Sequence, residues 1–163
     1  MKKSTASVLV DGLLSGLVGY ALISVYFAMS NIVAGLPALD TIQNLGAALF
    51  GGTSPGLIIA YNGLHLGVFL VLGVVAAVLI HEVELHPAGW YALFFVAIAG
   101  FIFSYVFMTV VAGRIAGLDA YSVAVGNLVA LLGMGMLLFW RRPETVRAIR
   151  DFSQGEEHEY QTH

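Results

Sequence analysis

One histidine, His65, stands ten residues into an apolar run that opens at Pro55. If that run is a helix, the 1.5 Å rise per residue sets His65 ~15 Å from its start, near the middle of a bilayer. Tyr61 and Asn62 precede it by about one turn on overlapping faces. An imidazole is costly to bury in hydrocarbon, so it either hydrogen-bonds internally as the neutral form or serves a proton or a ligand. The first reading needs a partner on a neighbouring span, and Ser24, Tyr105, Thr109 and Asn127 are the candidates by depth. The second names His65, Tyr61 and Asn62 as cofactor-binding residues. Bis-histidine haem in a helical bundle needs two histidines at one depth on different helices, and no other apolar run carries one. Haem or a quinone is therefore expected only with a partner subunit or in a symmetric dimer.

A denser set lies at the far end of the same run: His81, Glu82, Glu84 and His86. Imidazole with carboxylate suits zinc or non-haem iron, which makes these four a candidate metal site. The run from His158 to His163 repeats the spacing. Membrane di-iron desaturases and hydroxylases use histidine boxes, but they need more of them, with adjacent histidines, and this sequence has neither. The plainer expectation is a solvated interfacial turn.

Asp11 interrupts the first apolar run near its beginning. Lys3, Arg141 and Arg142 are its candidate partners, and no second buried carboxylate is expected with which to build a proton relay. Gly12-xxx-Gly16, Gly63-xxx-Gly67 and Gly113-xxx-Gly117 place small residues on one helical face, with Ser15, Gly19, Gly126 and Ala130 extending the pattern. Such faces let helix backbones approach closely in lipid. Gly12, Gly16, Gly63 and Gly67 are the expected packing residues, within this chain or against another subunit.

The elements that must position these groups are helices in a membrane. Charged residues make up 10% of the 163 positions and hydrophobic ones 59%, with a mean hydropathy of +0.88, whereas soluble domains carry roughly 25% charge. A span needs about 20 apolar residues, and four stretches qualify: about 7–33, 55–80, 90–111 and 121–140. The first is too long for the ~7–15-residue core of a signal peptide and reads as an anchor. The predicted fold is an all-α, antiparallel four-transmembrane-helix bundle over residues 1–142. Residues 143–163 form a basic helix opened by Pro143 and an acidic, disordered tail.

Orientation follows from Lys and Arg. Lys2, Lys3, Arg141, Arg142, Arg147 and Arg150 flank the two ends, and only Arg114 lies in the opposite loops. The positive-inside rule then puts both termini in the cytoplasm of a bacterial-type plasma membrane. Trp90, Tyr91 and Trp140 fall at the inner interface and Tyr121 at the outer one, as aromatic belts require. Arg141, Arg142, Arg147 and Arg150 are expected on headgroups, where anionic lipid favours each charge by ~1 kcal/mol. Between the first two spans, Asp40 and Gln43 have capping-box spacing. Ile42, Leu45 and Leu49 share a face, which predicts a short helix on the outer surface.

The absence of cysteine excludes thiol redox chemistry and Cys-ligated metals. There is no basic, aromatic-studded patch for nucleic acid, nor a phosphate loop, nucleophile elbow or HExxH motif. No internal repeat argues for an inverted-repeat transporter. The expected partners are the bilayer and other membrane subunits. The leading functional expectation is a non-catalytic accessory subunit of a respiratory or other electron-transfer complex. A small transporter or channel using the His65 cluster is the alternative, and a metal-dependent membrane enzyme using His81 to His86 the second alternative.

Overall fold

The computed structural model describes residues 4–91, 93–95, 97–102, 105, 106 and 119–161. Most of these residues are helical, and there is no strand among them. The elements are α1 (Thr5–Val33), α2 (Asp40–Phe50), α3 (Pro55–Leu85), a 3-10 turn (Pro87–Gly89), the short apolar α4 (Leu93–Ile102), α5 (Ala120–Arg141) and α6 (Pro143–Gln161). Three of them, α1, α3 and α5, are long and apolar enough to cross a membrane. Much of the 90–111 stretch lies outside the described residues, as do Lys3, Phe103, Phe107, Thr109, Gly113, Arg114 and Gly117.

Local chemistry sets the helix ends. Ser4 caps α1, its hydroxyl accepting from the Ser7 amide. Gly35 ends that helix at φ +74° and Gly51 ends α2 at φ +76°, a left-handed geometry that costs glycine nothing. Ser54 is the N-cap of α3, ahead of Pro55 in the first turn, but its side chain makes no capping bond. Asp119 caps α5 by accepting from the Ser122 amide at 2.9 Å.

Three expectations are corrected here. Leu39, rather than Asp40, is the N-cap of α2, and the Asp40 carboxylate accepts from Asn44 instead of closing a capping box. The second apolar helix continues five residues past Ile80, so His81 to Leu85 form helix and not a turn. The acidic tail is helical as far as Gln161, with Pro143 fixing the first turn.

α1 is the central helix, packed against α3 along one side and α5 along another. Contact with α3 runs backbone to backbone. A Cβ on Gly12 would lie 2.6 Å from the Val74 Cα, and one on Gly16 would collide with the Phe69 carbonyl. One on Gly73 would strike the carbonyl of Gly12 and the backbone of Gly16. The expected Gly12–Gly16 face is therefore a packing face. Gly63 and Gly67 are not its counterpart: a Cβ on either would meet nothing within 4 Å among the described residues. The partner is Gly73, six residues further on, because the α3 stripe facing α1 is Phe69, Gly73, Ala77 and Ile80.

Two apolar clusters follow from this packing. Val8, Ala77, Ile80 and Leu138 fill the end nearest Asp11. Ile23, Phe69, Ala130 and Met134 fill the middle, with Tyr20 and Phe27 laid against them. Ser15, fully buried between, donates to the Met134 carbonyl at 3.3 Å and ties α1 to α5.

Candidate functional site

The middle cluster carries a polar group on its outer side. Tyr20 of α1 donates to Asn62 Oδ1 of α3 at 2.9 Å, and Asn62 Nδ2 donates to the Ile58 carbonyl one turn back. Both side chains are thereby engaged. His65 sits among three rings: Phe69 at a centroid distance of 5.2 Å, Tyr61 at 5.6 Å and Tyr20 at 5.7 Å. The Phe69 and Tyr20 rings meet the imidazole nearly edge-to-face, a favoured aromatic geometry.

Sequence spacing thus brings His65, Tyr61 and Asn62 together, and packing adds Tyr20 and Phe69. The hydrogen bonds expected from Ser24, Tyr105 or Asn127 to the imidazole are not made. Among the described residues neither ring nitrogen of His65 and no oxygen of Tyr61 has a hydrogen-bond partner. Both side chains are half-buried. α2 lies over this region, with Gly46 placed so that a Cβ would sit 3.6 Å from the Tyr61 Cβ. α2 is itself clamped to α1: Thr41 donates to Asn31 Oδ1 at 2.9 Å, and Asn31 donates to the Ala38 carbonyl.

The second polar group, at the end of the bundle that holds Asp11 and the α5–α6 junction, is an ionic network. Asp11, with its side chain 3% exposed, accepts from Arg141 Nε at 2.7 Å and Arg142 Nε at 3.2 Å. Arg142, fully buried, reaches across to Glu84 through Nη1 at 3.1 Å. Glu84 also accepts from the Thr145 hydroxyl at 2.7 Å and pairs with His81 Nδ1 at 3.0 Å. Two cations therefore face two carboxylates over α1, α3 and the α5–α6 junction. Arg142 Nη2 is buried without a partner among the described residues.

This network revises two expectations. Arg142 is not on headgroups. It is drawn inward because Asp11 and Glu84 offer the charge that compensates its burial. Arg141 is shared between Asp11 and the surface, and only Arg147 and Arg150 remain exposed, Arg150 beside Asp151. The metal set His81, Glu82, Glu84 and His86 is split by helical geometry. His81 and Glu84, three apart, share one face, while Glu82 and His86, four apart, share another and are exposed. Among the described residues no three His, Cys, Asp or Glu side chains gather as a metal-binding group.

Sequence reasoning paired Asp11 with Arg141 and Arg142 but missed Thr145 and the role of Glu84 as hub. A buried Thr two residues after Pro143, opposite an acid at a helix end, was the available signal. No protein-family model matches this chain, and no curated protein or solved structure is significantly similar to it.

Proposed function

We propose that this chain is a non-catalytic accessory subunit of a larger membrane assembly, of the respiratory or another electron-transfer kind. In this reading it crosses a bacterial-type plasma membrane four times, through α1, α3, the segment containing α4, and α5. Both termini are cytoplasmic. The orientation is supported by six Lys and Arg at the two ends against one in the opposite loops. The exposed rings of Tyr121 and Trp140 at opposite ends of α5 agree with it.

The observation that carries the assembly reading is the outer flank of α3. Gly63 and Gly67 meet nothing within 4 Å among the described residues, with Leu64, Val68 and Val71 exposed beside them. Small residues in lipid favour close helix approach, and here that approach is not made by α1, α2 or α5. A transport pathway is less well supported. The α3 stripe between His65 and the ionic network is Phe69, Gly73, Ala77 and Ile80, which gives a proton or ion no polar step. A metal-dependent enzyme finds no converging ligand set.

Purification in mild detergent tests the proposal. The expected result is a stoichiometric membrane partner that is lost from Gly63→Leu and Gly67→Leu variants, whose side chains would point away from the α1 contact. A chain that runs only as a monomer, with no stable partner, would sink it.

A further inference from the structure

We propose that His65 and Tyr61 form a binding site for a lipid-soluble quinone headgroup, with a quinone carbonyl accepting from the imidazole N–H and the phenol O–H. The inference deepens the electron-transfer reading and rests on its membrane placement, but it departs from the expectation of a partner subunit, because a quinone, unlike bis-histidine haem, needs no second histidine and Tyr61 supplies the second donor.

The first support is the state of the donors. In the mid-membrane group, Tyr20 and Asn62 satisfy each other and the Ile58 carbonyl. His65 and Tyr61, one turn apart on α3 with rings 5.6 Å apart, are left with polar atoms that no described residue meets. A neutral imidazole always carries one N–H, and a phenol one O–H. Leaving both without acceptors in hydrocarbon is unfavourable, because a desolvated donor loses its hydrogen bond to water and gains none. A ligand that accepts from both removes that cost.

The second support is the chemistry of the surroundings. At ~15 Å along α3 the site faces the hydrocarbon layer, so its ligand must dissolve there. Tyr20, Tyr61 and Phe69 surround the imidazole with aromatic rings, which favour a flat conjugated partner. α2, clamped through Thr41 and Asn31, covers the outer side of Tyr61. That cover leaves the lipid, rather than outside water, as the approach. A planar ring with carbonyl acceptors and an apolar tail meets all of these demands. A carotenoid has no need of the two donors, and a free ion does not dissolve at this depth. Haem would take one imidazole nitrogen but leave the Tyr61 hydroxyl unanswered.

The test is a titration of the full-length chain in lipid nanodiscs with decylubiquinone, read by intrinsic fluorescence quenching against empty discs. Saturable binding above the empty-disc background is expected. Tyr61→Phe, which removes one oxygen and keeps the ring, should weaken it about five- to tenfold, the worth of one hydrogen bond. His65→Phe should do the same, and the double variant should fall to background. Wild-type binding no greater than that of empty discs would overturn the site, as would single variants that bind like wild type. A haem absorption band in the purified protein that disappears in His65→Phe would also overturn it, by assigning the imidazole to iron. None of these results depends on whether a partner subunit co-purifies, so the two proposals fail separately.

Discussion

The two polar groups of this protein differ in how far they are closed. At the α5–α6 junction, Asp11, Glu84, Arg141 and Arg142 balance two charges against two, and Thr145 and His81 add hydrogen bonds. In the middle of the helices, Tyr20 and Asn62 close on each other while His65 and Tyr61 stay open. Both draw on α1 and α3. The closed group joins four elements and gives the fold its register. In the proposed reading, the polar atoms of His65 and Tyr61 are left for an outside molecule.

That contrast can be broken by substitution. Asp11→Ala should have the largest effect, because it takes one of two carboxylates from the fully buried Arg142, leaving Glu84 alone, and removes the carboxylate that Arg141 meets. Removing one partner of a buried ion pair costs about 3–5 kcal/mol, measurable as a fall in the midpoint of SDS-induced unfolding in mixed micelles. A midpoint within error of wild type would mean the network is not structural. Thr145→Val keeps the shape but removes the hydroxyl from Glu84. A hydrogen bond to a charged group is worth about 1.5–3 kcal/mol, and the loss should appear first as faster amide exchange in the first turns of α6. The smallest effect should come from His65→Phe in ligand-free detergent, and its sign should be opposite. Replacing an imidazole without an acceptor by an apolar ring of similar size should raise the unfolding midpoint, by about 1 kcal/mol. A clear loss of stability would show that the imidazole has a partner after all, and the distinction between the two groups would collapse.

The sequence made the helical, apolar character plain because period and composition act locally: three long helices match the predicted stretches to within a few residues, apart from the extension through Leu85. Gly12 and Gly16 were legible as a packing face, yet their true counterpart, Gly73, has no glycine four residues away to announce it. Which glycine meets which depends on the relative axial shift of α1 and α3, and that shift is a sum of many side-chain contacts that no motif encodes. Arg142 was misplaced for a related reason. A basic run after a span reads as headgroup-bound, and only the arrival of Asp11 and Glu84 from two other helices makes burial affordable. His65, Tyr61 and Asn62 were visible through their spacing on one helix, whereas Tyr20, 45 positions away from His65, could be found only by packing.

The central position of α1 also sets a clock for assembly. Asp11 is made well before its partner Arg141, which follows 130 positions later. At the ~5–20 residues per second of synthesis, about 10 s pass between the two. For that interval a nascent chain holds a carboxylate at the edge of its first helix with neither guanidinium yet made. A truncated or stalled product keeps that acid unanswered, and a membrane protease or chaperone that reads lone charges beside lipid could tell the unfinished chain from the finished one.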